Sequence, residues 1–277
     1  MAISFTEEAE KVIKSYLDKV SKEIDEMGFK ISDERRKDFL FAVMHSLRLF
    51  SLRKARKRGS EVVQEDDVRS SIRFVRPRML IRHSLRDPEA FSYVERIRRK
   101  HFETIKKRLG SSRRPRLLDA GCEYGRQMME YIRRGWDAEF IGIDINLEAL
   151  EYGRWAEPSI SFIGADVGSL PFRSSTFDVV ICIGVLHLIG DIKGVISEFS
   201  RVLKEGGLLF ITQSFTTKRP ISSASTMLRR IFHNIGVLHQ RSDVERILHE
   251  SFSRVVMDRV YSLPISLGHV YFCTAIK

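Results

Sequence analysis

Cysteine is scarce in this chain: 277 residues carry three, Cys122, Cys182 and Cys273, far apart and with no C-x-x-C spacing or histidine cluster beside them. An odd, scattered set excludes a disulfide framework and a structural zinc site, and points to a reducing compartment. Long apolar runs are missing too. The longest, VVICIGVLHLI, falls short of the about 18 residues that a membrane-spanning helix needs. The opening MAISFTEEAEK is acidic and amphipathic, without the apolar centre of a secretory signal. The expectation is a cytoplasmic protein with no membrane span and no bound metal. A hydrophobic fraction of 43% is enough for a buried core and excludes disorder as the main state.

Acidic side chains are thin in one stretch only. The formal net charge is +11, yet residues 116–277 hold 18 basic and 18 acidic groups, and residues 1–47 hold 8 and 10. Residues 48–115 hold 21 basic groups against 8 acidic ones, including RKARKR at 53–58. A local excess of this kind suits a polyanion: nucleic acid, an acidic lipid surface or an acidic protein.

The first third reads as helical. Thr6 caps a long amphipathic helix that places Val12, Ile13, Tyr16, Leu17, Val20 and Ile24 on one face and ends at Gly28. A second long helix opens at Ser32, carries Leu40, Val43, Met44 and Leu47 inward, and stops at Gly59. VVQEDDVRSSIRFV then gives a short extended piece and a third, short helix from about Glu65. With Gly59, Val63, Asp67 and Val68 at these positions, the stretch resembles the second half of an archaeal histone fold. That resemblance implies DNA-binding or pairing of the helices between two copies of the chain. Two features depart from it: Ser60 stands where an arginine would clamp Asp67, and the first helix is about twice the usual length. Asp87 and Pro88 begin a further basic helix, Gly110 ends it, and SSRRP forms a linker before Arg116. The expected organisation is a helical domain over 1–80, a basic connecting helix and linker over 81–115, and a third region over 116–277.

From Arg116 the pattern changes to short apolar runs alternating with helical stretches. RLLDAG, AEFIGIDI, ISFIGAD, FDVVICIG, GGLLFITQS, RVVMDRVYS and HVYFCTAIK are seven candidate strands. Several of the first five are continuously apolar, as strands buried on both faces of a parallel sheet are. The fold class is α/β, a Rossmann-like doubly wound sheet. In such a sheet ligands bind beyond the carboxyl ends of the strands, near the point where the strand order reverses.

The residues at those ends form a set. Asp119 precedes a turn with Gly121 and Gly125, whose missing side chains let backbone approach a ligand while the next helix offers its amides. Asp144 comes after the second run, 23 residues beyond Gly121, where a carboxylate can accept both hydroxyls of a ribose. Asp166 comes after the third; Gly184 and His187 after the fourth; Gly206 and Gly207 turn into the fifth. A nicotinamide site would need G-x-G-x-x-G, but Gly121 is succeeded by Cys122, Glu123, Tyr124 and Gly125.

The series LLDAGC, IGIDIN, GADVGSLPF, FDVVICIGVLHLI and RVLKEGGLLFIT is similar, motif by motif, to class I S-adenosylmethionine-dependent methyltransferases, over residues 116–213. The resemblance implies a seven-stranded sheet of order 3-2-1-4-5-7-6 and S-adenosyl-L-methionine as cofactor. It implies Asp119, Gly121 and Gly125 around the methionine part, with Cys122 and Glu123 in the same turn. Asp144 would hold the ribose, with Ile145 and Asn146 beside it; Asp166 and Val167 would read the adenine; Ile183 and His187 would line the pocket beneath the sulfonium. His187 is the candidate general base, against a pocket-lining or structural role. Glu123 occupies a position where the family carries glycine, so its carboxylate either points to solvent, meets the cofactor's ammonium group, or blocks the methionine channel. Asp178 reads as a cap and Cys182 as a small core residue.

Methyl transfer needs alignment of the acceptor and removal of its proton if it has one, so no dedicated catalytic constellation is expected. The acceptor is unidentified. Three functions fit the sequence: a methyltransferase brought to nucleic acid, or to a protein bound to it, by the basic stretch 48–115; a small-molecule methyltransferase whose N-terminal helices form a homodimer or cap the pocket; or a non-enzymatic binding protein. The segment from Ser214 to Gln240, with Met227, Leu228, Ile231 and Phe232 at helical spacing, is either a lid over the acceptor or a helix packed on the sheet edge.

Overall fold

The computed structural model describes residues 3–28, 31–72, 105, 114–216, 239–262 and 269–277. The chain divides into two compact units, Met1–Phe91 and Ser92–Lys277. The expected connecting helix lies outside the described residues, apart from Ile105, as do Met227, Leu228, Ile231 and Phe232, expected at helical spacing. Among the described residues no helix is long and apolar enough to cross a membrane.

The first unit contains β1 (Ser4–Phe5), α1 (Glu7–Glu26), α2 (Asp33–Lys57), β2 (Val62–Val63) and α3 (Glu65–Ile72). The Thr6 side chain accepts the Ala9 amide at 3.2 Å, satisfying one of the free N–H groups of the first turn of α1. Ala9, Ile13, Tyr16, Val20 and Ile24 are its buried face, and Gly28 turns the chain at φ 73°. Along α2 the buried stripe is Phe39, Val43, Leu47 and Leu52, with Leu40 and Met44 only half buried. The inward face is thus rotated from the expected one, because Phe39 takes the place expected of Leu40.

β1 and β2 pair in parallel, Ser4 opposite Val62 and Phe5 opposite Val63. Arg58, not a residue at position 60, clamps Asp67: its Nε donates at 3.1 Å and its terminal nitrogen closes the ion pair. Asp67 also accepts the Gln64 amide at 2.9 Å. Ser60 instead closes the loop locally, its hydroxyl accepting the Val62 amide at 3.0 Å.

The second unit contains β3 (Arg116–Ala120), α4 (Arg126–Arg133), β4 (Glu139–Asp144), α5 (Leu147–Ala156), β5 (Ser161–Gly164), β6 (Phe177–Ile183), a 3-10 turn (Leu186–Leu188), α6 (Ile192–Val202), β7 (Leu203–Thr216), β8 (His239–Gln240), α7 (Arg241–Ser251), β9 (Arg254–Ser262) and β10 (His269–Ile276). The sheet runs β5-β4-β3-β6-β7-β10-β9, with β8 attached to β7. It therefore has eight strands where seven were expected; the addition is a two-residue strand in a stretch read as helical. β3 to β8 pair in parallel, and β10 is antiparallel to both β7 and β9.

Every residue of β6 from Phe177 to Cys182 is buried. This is why its sequence shows no alternation: both faces meet helices and neighbouring core. The order reverses between β3 and β6, which opens a crevice at their carboxyl ends. At the opposite, amino end of β6, Asp178 accepts Lys204 Nζ at 2.8 Å and the Arg116 amide at 2.8 Å, so it locks three strands rather than capping a helix.

Candidate cofactor cleft at the strand ends

The turn after β3 is held by backbone. The amides of Gly121 and Cys122 both donate to the Ile143 carbonyl at 2.9 Å, tying the turn to the end of β4. Gly121 and Gly125 adopt φ of 82° and 83°. A Cβ on Gly121 would clash with Val185 Cγ2, and one on Gly125 would lie 2.6 Å from the Phe162 ring, so both positions need glycine for space as well as for conformation. Gly125 starts α4 without any side-chain cap, which leaves the helix's first amides open to a ligand.

Glu123 is also left-handed, at φ 53°. A side chain there costs roughly 1 kcal/mol, and the geometry shows what it is held for. The Glu123 amide donates to Asp144 Oδ2 at 2.8 Å, and the Asn146 amide donates to Asp144 Oδ1 at 2.9 Å. Both carboxylate oxygens are thereby oriented by backbone. Glu123 itself is exposed.

Asp119 is different. It is 4% exposed, and among the described residues no donor reaches its carboxylate. Burial, and then the nearby Asp144 charge, push its carboxyl up from the usual 3.8 to about 7. A buried carboxyl without a protein partner beside a second, oriented carboxylate is suited to a cation or to hydroxyl donors.

The other residues expected at the site divide. Asn146 caps α5, its side chain accepting the Ala149 amide at 3.2 Å, while Ile145 is 77% exposed at the same strand end. Asp166 accepts the Gly168 amide at 2.7 Å in a tight turn, and Val167 is buried. Cys122 is buried and its thiol is pushed up by burial, so it is packed rather than reactive. Ile183 ends β6, and His187 lies half buried in the 3-10 turn. Two residues went unnoticed in the sequence. Val185 fills the notch left by Gly121. His239 places Nε2 at 3.0 Å from the carbonyl oxygens of both Leu186 and Ile189.

The sheet order and its flanking helices define a Rossmann-like α/β domain, with the candidate cleft at its switch point. A family model described as a methyltransferase domain matches residues 118–211, the stretch that carries β3 to β7. An uncharacterized protein of Methanocaldococcus jannaschii is 28% identical over 148 residues, covering 53% of this chain and 59% of that protein. An O-methyltransferase of Aspergillus nomiae is 25% identical over 177 residues, 61% of this chain and 78% of its own. A sterol 4-C-methyltransferase of Caenorhabditis elegans is 30% identical over 152 residues, but the match spans only 45% of its length. In fold, the chain is similar to a protein from Bacillus halodurans described as a putative methyltransferase (TM-score 0.51, 13% identity, 64% of this chain and 99% of that one). It is also similar to a phosphoethanolamine N-methyltransferase of Haemonchus contortus bound to S-adenosyl-L-methionine (TM-score 0.52, 14% identity, 65% and 52%). The family model and the relatives support a methyltransferase domain in this part of the chain, and the two solved structures share its fold.

Proposed function

We propose that the second unit binds S-adenosyl-L-methionine in the cleft at the ends of β3, β4, β5 and β6 and transfers its methyl group to an acceptor. The observation that carries this reading is the pair Asp119 and Asp144: one carboxyl buried without a protein donor, the other aimed by two backbone amides. In this reading Asp144, with Ile145 and Asn146 beside it, receives the ribose hydroxyls. Asp119 and the turn Gly121, Cys122, Glu123 and Gly125 hold the amino-acid part, its carboxylate toward the uncapped start of α4. Asp166 and Val167 read the adenine, and Ile183 and His187 line the floor.

When bound, the cofactor supplies a methyl group on a positively charged sulfur. The chain's part is to exclude water, align the acceptor and, where the acceptor carries a proton, take it up; His187 is the imidazole placed at that end of β6. Calorimetry tests the reading. S-adenosyl-L-methionine is expected to bind with a dissociation constant on the order of micromolar, and Asp144→Ala to weaken it about tenfold or more. Heat from NAD and none from S-adenosyl-L-methionine would overturn it.

A second reading concerns the acceptor. The described residues of the first unit carry 14 basic and 14 acidic side chains, and Arg48, Arg56, Arg58 and Arg69 are paired to Glu10, Glu61, Asp67 and Glu65. Residues 73–113 carry 13 basic groups against 4 acidic ones. We infer that a nucleic-acid contact, in the histone-like reading of this unit, depends on 73–113 more than on RKARKR. DNA binding that falls steeply with salt and survives charge reversal at Lys54 and Lys57 supports this; salt-independent binding would count against it. The competing small-molecule reading, with the N-terminal helices forming a homodimer, predicts a dimer in solution and no salt-dependent DNA binding.

A further inference from the structure

We propose that His239 is a positioning residue that sets the cleft by pinning the turn after β6; the inference rests on the cofactor reading above. His239 opens β8, where it pairs with Phe215 at the end of β7, and it is 9% exposed. Its Nε2 lies 3.0 Å from the Leu186 carbonyl oxygen and 3.0 Å from that of Ile189. Carbonyl oxygens only accept, so Nε2 carries the proton and donates to both.

The two carbonyls bracket the 3-10 turn that presents His187. Within that turn the Leu188 amide donates to the Val185 carbonyl at 2.8 Å and the Ile189 amide to the Leu186 carbonyl at 3.0 Å. A three-residue 3-10 turn has poor hydrogen-bond geometry of its own, and His239 adds an anchor on each flank. Val185, the residue just before the turn, occupies the space beside Gly121 and so borders the glycine turn that meets the cofactor. Shifting the turn would move Val185 against Gly121 and His187 relative to the floor of the cleft. His239 needs to touch neither ligand to affect both.

The test uses the full chain and two variants, with hydrogen exchange of the 185–190 peptide and calorimetry with S-adenosyl-L-methionine as readouts. His239→Leu keeps the bulk and removes the donor. We expect exchange across 185–190 to quicken about tenfold while β3 to β6 stay protected, and cofactor affinity to fall about tenfold, the effect of taking the donor from the part-buried Ile189 carbonyl and leaving the Leu186 carbonyl with the Ile189 amide alone. His239→Gln places an amide nitrogen near Nε2 and is expected to restore both to within about threefold, a rescue that bulk packing alone would not produce. Unchanged exchange in His239→Leu, unchanged affinity despite quickened exchange, or a glutamine variant no better than leucine would overturn the proposal. If the unaltered protein fails to bind S-adenosyl-L-methionine, the cofactor reading fails and takes with it the inference's claim about the cleft; the exchange data then judge the strut alone.

Discussion

In the first unit, these arginines find their partners inside the unit: Arg36 with Asp25, Arg48 with Glu10, Arg56 with Glu61, Arg58 with Asp67. The second unit treats its two ends unequally. At the amino ends of its strands Asp178 is matched by Lys204 and the Arg116 amide; at the carboxyl ends Asp119 is matched by nothing the described chain provides. Two buried aspartates on neighbouring strands thus have opposite meanings. The satisfied one holds strands together, and the unsatisfied one is a cost that the proposed ligand would offset.

Replacing each aspartate separates them. Asp119 holds its proton more tightly in the native state than in the unfolded chain, so its contribution is largest at acid pH and is lost as pH rises from about 4 through about 7. At about 1.4 kcal/mol per pKa unit, Asp119→Asn should raise the stability of the ligand-free protein at pH 8 by up to about 4 kcal/mol and abolish that slope, while weakening cofactor binding. Denaturant melts at pH 4 and pH 8 measure it; a variant less stable than the parent at pH 8 would erase the contrast. Asp178→Ala should do the reverse, costing about 3 kcal/mol at neutral pH by leaving Lys204 half-buried and unpaired. In the first unit, Asp67→Ala leaves the Gln64 amide without its acceptor, and should cost about 1 kcal/mol, read as a fall in melting temperature. The smallest effect belongs to Glu123→Gly. Relief of a left-handed side chain is offset by the greater freedom of glycine in the unfolded chain, so stability should move by less than about 1 kcal/mol. Because the amide that aims Asp144 is kept, cofactor affinity should stay within about threefold; a large gain would mean that the Glu123 carboxylate obstructs the cleft.

Much of the cleft was readable because a buried parallel strand announces itself. FDVVICIG and FIGID carry no alternation, and the residues just beyond such a run must sit at the ligand edge. Asp119, Asp144 and the glycine turn are found by that rule. His239 is not: it contacts Leu186 across more than fifty residues of sequence, and its stretch reads as helix rather than as a strand of two residues. The Arg58 clamp escaped for a different reason. The function was expected at position 60, but a guanidinium on a long side chain reaches Asp67 from two residues earlier, and the hydroxyl of Ser60 bonds within the loop. On α2 the expected Val43 and Leu47 are buried while Leu40 and Met44 are not, since a chain with apolar residues at 39, 40, 41, 42, 43 and 44 offers two overlapping stripes and only packing chooses between them.

The pairing of β1 with β2 has a consequence in time rather than in space. Two residues near the start of the chain complete their hydrogen bonds only with residues roughly sixty positions later, so two helices must be made and folded back before Ser4 and Phe5 have anywhere to go. A two-residue ladder repays little of that closure, so it should be among the last contacts to form and the first to fray. A short fusion placed ahead of Ser4 would therefore be felt first at the loop around Val62.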